Sequence, residues 1–244
     1  MSRATALVFG VLGFSCWLAA QPSTQLLPET DHAFDEYIKA MESQLDWRPH
    51  VTLDPAGIKL VPGAASPTTE IKGAIIHDWR AAVLAPRATV ESVIGVLQSY
   101  ADYKRLYAPQ ISDSTLLSHE GDVWRVRLQL YKKKLFTARL DSEYVIEYRP
   151  LGPGRWAISS HSTKVAEIDG NRELPVGQGH GYLWRLNAYW LLEQRPEGVY
   201  IECRSISMSR DIPTGLGWAM KPMVTSVPRE SLRDTLEDTI RALQ

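Results

Sequence analysis

Three observations predict an α+β fold, with a curved antiparallel β-sheet wrapped around a long C-terminal α-helix. About six strand-like segments succeed one another between residues 111 and 209, parted by turn signals such as Glu120-Gly121-Asp122, Gly152-Pro153-Gly154 and Pro196-Glu197-Gly198. Several of them alternate apolar and polar residues with period two, the pattern of an antiparallel sheet with one face in water. Near the end of the chain Leu232, Leu236, Ile240 and Leu243 recur at helical spacing, with Arg233, Asp234, Glu237, Asp238 and Arg241 on the rest of the surface. An apolar sheet face needs cover, and this final helix is the best-placed long amphipathic element to supply it.

Taken in order, the chain opens with Arg3 and an uncharged run over residues 4–20, before the polar Gln21-Pro22-Ser23-Thr24. That reads as a secretory signal cleaved after Ala20, so the protein is expected to be exported, periplasmic or extracellular. The run is marginal for a spanning helix, and an uncleaved membrane anchor is the alternative. Gly13-Phe14-Ser15 before Cys16 is a poor lipobox, which argues against lipidation there. Removal of the signal leaves Cys203 as the one cysteine, so no internal disulfide is expected and stability comes from the core.

Residues 21–30 read as a linker, residues 31–69 as an N-terminal helix with an irregular extension, and residues 70–244 as one main domain. The helix is expected over 31–47, where Phe34, Tyr37, Ile38, Met41 and Leu45 form a stripe and Thr30 or Asp31 can cap the start. Pro49, Pro55, Pro62 and Pro67 make the extension irregular, with a short strand at 57–61. A strand over 71–85 stops at Pro86. Thr89 caps a helix over 87–100, in which Val90, Val93, Ile94 and Leu97 recur, and residues 101–109 bend away.

In the meander, Trp124, Val126, Leu128 and Leu130 share a face. So do Phe136, Ala138, Leu140, Tyr144, Ile146 and Tyr148, and likewise Tyr182, Trp184, Leu186, Ala188, Trp190 and Leu192. The closing strand sets small residues, Cys203, Ser205, Ser207 and Ser209, on one face and Ile206 and Met208 on the other. Pro222 and Pro228 are expected to interrupt the stretch after Gly215. Residues 215–220 then form a kinked, lid-like lead-in, and Pro228 sits in the first turn of the main helix.

This order resembles the START-like branch of the SRPBCC superfamily, the helix-grip proteins. The resemblance is carried by Val96-Leu-Gln-Ser-Tyr-Ala-Asp-Tyr-Lys-Arg-Leu-Tyr-Ala-Pro109, and by Asp211-Ile-Pro213 together with Pro228-Arg-Glu-Ser-Leu-Arg-Asp-Thr-Leu236. It covers roughly residues 70–244. It implies a helix-grip fold and, for most such proteins, binding of lipids, sterols or other apolar small molecules; a minority are aromatases, cyclases or hydrolases. Fold alone does not choose between these.

Composition narrows the function further. A net charge of −1 gives no basic surface for nucleic acid. Eight Trp and ten Tyr against four Phe favour partly wet cavities, because these rings carry a polar edge. The expected ligand-binding cavity lining is Trp124, Leu128, Tyr144, Trp184 and Trp190 from the meander, and Cys203, Ser205 and Ser207 from the closing strand. Trp218, Met220 and Met223 from the lead-in complete it, with Leu232 and Leu236 from the helix. Plain core packing is the alternative for any one of the aromatic residues, and an outward, simply polar face is the alternative for Cys203, Ser205 and Ser207.

Lys132, Lys133 and Lys134 form a basic cluster that fits either a solvated hairpin tip or contact with an anionic membrane surface. His77 and Asp78, adjacent on a strand, point to opposite faces and cannot share a metal. Gly177-Gln-Gly-His-Gly181 precedes a strand rather than a helix, so it is not a phosphate loop. Asp78, Glu167 and Glu193 have no visible partner, and no G-x-S-x-G or metal-ligand spacing occurs. The expectation is therefore binding, with transport or sequestration as its use, of a hydrophobic or amphipathic small molecule, without a cofactor, a metal or a catalytic residue. The alternative is an enzyme of the polyketide cyclase/aromatase or hydrolase kind using the same cavity. Oligomeric state is not legible.

Overall fold

A computed structural model describes residues 24–133, 137–211 and 217–244, with side chains of the last stretch described from Thr225 onward. In chain order the elements are β1 (Thr24–Gln25), α1 (Pro28–Glu42), β2 (Lys59–Pro62), β3 (Thr68–Ile71), β4 (Ala74–Pro86) and α2 (Val90–Gln98). A 3₁₀ turn at Tyr100–Asp102 leads into α3 (Tyr103–Leu106). Then come β5 (Ile111–Glu120), β6 (Val123–Lys133), β7 (Thr137–Gly152), β8 (Arg155–Asp169), β9 (Arg172–Glu173) and β10 (Gln178–Gly179). β11 (Arg185–Arg195), β12 (Gly198–Arg210) and α4 (Gly217–Ala242) end the chain.

The main sheet runs in the order β2-β4-β12-β11-β8-β7-β6-β5 and curves around α4, with every pair antiparallel. The meander is thus the expected one, closed by β12 lying between β11 and the early strand β4. β2 and β3 pair with successive parts of β4, so part of the irregular extension belongs to the sheet. α4 packs on β4, β12, α2 and α3.

α2 starts where the sequence indicates. Thr89 accepts from the Ser92 N–H and Ser92 from the Thr89 N–H, a reciprocal cap. α1 differs from expectation by starting at Pro28 and ending at Glu42. Pro28 stands in its first turn, where a missing N–H costs nothing, and Thr30 donates to the Lys72 carbonyl instead of capping. The first turn of α1 therefore replaces part of the supposed linker.

α4 corrects a second expectation. It runs unbroken for 26 residues through both Pro222 and Pro228, rather than as a lead-in and a separate helix. Each proline removes one ladder donor, at roughly 3 kcal/mol. From Thr225 onward, burial of Leu232, Leu236 and Thr239 supplies tertiary packing that offsets such a cost.

A third correction concerns the outer face of the sheet. β12 and β4 are buried along almost their whole length, so the convex face under them is not wet. α1 lays Phe34, Ile38 and Met41 on Ile76, Ile206 and Met208 there, and Val51 packs with Tyr200 and Leu191. Between these apolar clusters, Arg204 reaches Asp78 through Nε (2.8 Å) and Nη2 (2.5 Å), and the Tyr37 hydroxyl of α1 donates to the same carboxylate (2.8 Å). Glu202 accepts from Arg80 (2.8 Å) and from the His50 and Val51 amides (2.8 and 3.0 Å), and also bonds the Tyr200 hydroxyl. Asp78 is therefore a structural anchor for α1.

Removing one partner of a buried pair leaves the other charge uncompensated, which costs about 3–5 kcal/mol. Asp78→Ala is expected to lose that much in urea unfolding. The double variant Asp78→Leu/Arg204→Met should recover most of it, and a double variant as unstable as the single one would remove the pair from this role.

Candidate functional site

Between the concave face of the sheet and α4 lies a cavity of about 370 Å³. Alternate residues of the strands reach it: Leu128 and Leu130 of β6, Leu140, Tyr144, Ile146 and Tyr148 of β7, and Ile158 and Ser160 of β8. β11 adds Leu186, Ala188 and Trp190, and β12 adds Cys203, Ser205, Ser207 and Ser209. The small side chains of β12 stand opposite a helix line of Val227, Pro228, Ser231, Leu232, Thr235 and Asp238. That spacing is one face of a helix. Leu236, on the neighbouring face, is fully buried in the core with α2 and α3.

Tyrosines make the remaining wall. Tyr100, Tyr103 and Tyr107 come from the bend after α2, at a spacing that puts them on one side. The Tyr103 and Tyr148 hydroxyls both donate to the Leu97 carbonyl (2.6 and 3.0 Å), which α2 leaves open at its C-terminal end. Tyr100 and Tyr148 share a hydroxyl hydrogen bond (2.7 Å), and Tyr107 reaches Thr239 of α4 (3.1 Å). Burial pushes the phenols up, Tyr107 and Tyr144 to about 12 and Tyr100, Tyr103 and Tyr148 further still, so all stay neutral. The hydroxyls of Tyr100, Tyr103, Tyr107 and Tyr148 are spent inside the protein, whereas that of Tyr144 has no partner among the described residues. These three tyrosines of the bend are site residues that strand alternation could not reveal. The available signal was their i, i+3, i+7 spacing in a segment read only as a connection.

Polar groups of the wall are few. His77 lines the cavity with Nε2 3.1 Å from the Ser209 hydroxyl, and burial lowers its pKa to about 4, so the ring is neutral at pH 7. Burial pushes the Cys203 thiol up, which keeps it protonated and unreactive. Lys132 lines the wall and binds Asp234 of α4 at 2.8 Å, so its charge is engaged rather than free at a hairpin tip. Glu167 is buried and accepts from the His180 and Tyr182 amides (2.7 and 2.9 Å), clamping the glycine-rich loop beside the cavity. A Cβ at Gly179 would lie 2.5 Å from that carboxylate, so the loop needs glycine there. Among the described residues no cluster of His, Cys, Asp and Glu could hold a metal ion, and no helix is long and apolar enough to cross a membrane.

Of the residues expected to line the cavity, Leu128, Tyr144, Trp190, Cys203, Ser205, Ser207 and Leu232 stand on its wall. Trp124, Trp184 and Leu236 stand elsewhere. Trp124 stacks on His119 (3.6 Å between ring centres), and Tyr100 and Tyr148 occupy the space in front of it. Trp184 precedes β11, so strand alternation does not extend to it; it packs under α1 on the convex face, and Leu183 takes the cavity side. Trp218, Met220 and Met223 lie in the stretch whose side chains are not described. Lys134 and residues 1–20 also fall outside the described residues.

No protein-family model and no curated protein sequence matches the chain. Solved structures similar to it include START/SRPBCC-superfamily proteins. One is the STAR-related lipid transfer protein from Xanthomonas axonopodis, at 20% identity over 76% of this chain and 99% of that one (TM-score 0.45). Human STARD10 is similar at 10% identity over 92% and 82% (TM-score 0.48), and the Zhui aromatase/cyclase from Streptomyces sp. R1128 at 11% over 69% and 93% (TM-score 0.48). The fold is the helix-grip fold. The sheet, the cavity and α4 described above have that arrangement.

His77 links the site to pH. Its unfolded pKa is 6.5 and its folded one about 4, so its contribution to stability is whole above 6.5 and is lost as the pH falls from 6.5 to 4. Between pH 7 and pH 4 the wild type is expected to lose about 3 kcal/mol more than His77→Gln in urea unfolding. Equal losses would mean that the native ring takes up a proton freely.

Proposed function

We propose that this protein binds an apolar or amphipathic small molecule between the sheet and α4, for transport or sequestration. The cavity itself carries the reading. The wall of the cavity is mainly apolar, and a ligand that fills it removes that surface from water. Its volume of about 370 Å³ falls in the range of small-molecule sites. Small side chains at Cys203, Ser205 and Ser207 hold the room open where a close-packed core would carry Leu or Ile.

A catalytic reading, of the cyclase/aromatase or hydrolase kind, is favoured by one observation, the His77–Ser209 contact. A neutral imidazole beside a hydroxyl is the start of an activated nucleophile. However, a ring with a pKa of about 4 is a weak base at pH 7, and its Nδ1 has no partner among the described residues. Binding therefore stands first.

The uncharged run after Arg3 supports export, with cleavage after Ala20. Peripheral membrane contact, if the ligand is exchanged at a bilayer, falls to Lys133 and its neighbours, since Lys132 is held by Asp234.

Native mass spectrometry of the purified protein, with subsequent organic extraction, is expected to release an apolar small molecule. Ser207→Phe places a ring in the cavity and should abolish that occupancy while circular dichroism stays unchanged. Retention of the same ligand by Ser207→Phe would move the site elsewhere. For export, the intact mass of the mature protein should correspond to a chain beginning at Gln21; a mass that includes residues 1–20 would favour the anchor.

A further inference from the structure

Four consecutive residues of the cavity wall, His180, Gly181, Tyr182 and Leu183, belong to neither a strand nor a helix. The strands of the wall are far more tightly held. β6, β7, β8, β11 and β12 each pair with a neighbour along both edges. The tyrosines of the bend are tied to the Leu97 carbonyl and to Thr239. Between residues 170 and 183, by contrast, the buried positions are Gly177, Gly179 and Gly181, so the stretch places no side chain in a core. A segment whose opening exposes so little apolar surface is the kind that opens most readily.

Backbone hydrogen bonds hold this segment in place. Glu167, on β8, takes the His180 N–H on Oε2 (2.7 Å) and the Tyr182 N–H on Oε1 (2.9 Å), so both oxygens of one carboxylate grip the wall. Bonds to a carboxylate are stronger than those between neutral backbone groups. From the other side β1 straps the segment. Thr24 and Gln25 pair with Gly179 and Gln178, and the Leu26 N–H donates to the Gly177 carbonyl (2.7 Å). The Gly181 carbonyl accepts from the Arg210 N–H at the end of β12 (2.9 Å), and the fixed part resumes at Trp184, whose N–H donates to the Met208 carbonyl (2.8 Å).

We propose that ligand enters and leaves the cavity where residues 177–183 swing away from the wall, with Glu167 as the latch and β1 as the strap. This rests on the binding reading. Residues 24–27, which read as linker in the sequence, are then part of the gate. Glu167 does not itself line the cavity, so its two bonds are the same whether the cavity is empty or filled. A latch of that kind sets how fast ligand passes rather than how tightly it is held. Loosening it raises the open population of the empty and the filled protein by one factor.

Stopped-flow fluorescence of the delipidated full chain with 1-aminoanthracene, an apolar fluorophore, measures both rates. Glu167→Gln keeps one acceptor and sets an amide NH2 against the second N–H. It should raise the association and dissociation rates together, by at least about tenfold, and leave Kd within about twofold of the wild type. Gln25→Cys with Gln178→Cys joins two paired, exposed positions and leaves every buried side chain in place, so it decides the matter even where Glu167→Gln fails to fold. Oxidised, it should slow both rates several-fold, and dithiothreitol should restore them. A faster dissociation alone, with Kd weakened in proportion, would make Glu167 a support of the wall and overturn the latch. So would unchanged rates in either variant. Both results leave the binding reading standing, whereas a wild type that takes up no probe would overturn that reading itself.

Discussion

β4 and β12 pair along thirteen residues, and the need to bury both faces of that ladder governs the rest of the molecule. The odd-numbered residues of β12 turn to the concave side and the even-numbered ones to the convex side. Each side must then find cover. α4 covers the first and α1 with its extension the second. The charges caught between the convex face and α1, Asp78 with Arg204 and Glu202 with Arg80, are satisfied by several hydrogen bonds each, which is the condition for burying them at all. The N-terminal region is therefore part of the fold rather than an appendage to it.

The concave side is built to remain partly open. On β12 the concave-side residues outside the cavity, Val199 and Ile201, are large, whereas Cys203, Ser205, Ser207 and Ser209, which line it, are small. The helix line above them is small or polar as well, at Ser231, Thr235 and Asp238. Elsewhere the two layers are held apart by rigid tyrosines whose hydroxyls are tied to the Leu97 carbonyl and to Thr239. Those ties fix the rings as pillars, so the space cannot collapse by a simple change of side-chain rotamer.

Lys132 on the wall is paired with Asp234 across the strand–helix gap, and His77 is kept neutral by burial. A carboxylate oxygen without a partner among the described residues is left facing inward.

By itself the sequence determined the antiparallel meander, the C-terminal helix, the capped α2 and the cavity-facing parity of most strand residues. These arise from periods of two and 3.6 and from local turn chemistry, which need no knowledge of distant partners. Residues such as Leu128, Tyr144, Trp190 and Leu232 could therefore be placed on the inner face from spacing alone, whereas the face of Ser205 was left open by it. Tertiary structure decided the remainder. Trp184 left the inner face because its strand begins one residue later, at Arg185. Pro222 and Pro228 do not break α4, whose later turns are packed over the sheet through Leu232 and Leu236. Asp238, which reads as a surface charge beside Glu237 and Arg241, became a buried wall residue because α4 shows the cavity a small and polar stripe beside its apolar one. Each of these depends on which surface lies opposite, and that is a property of the assembled layers rather than of any local stretch of chain.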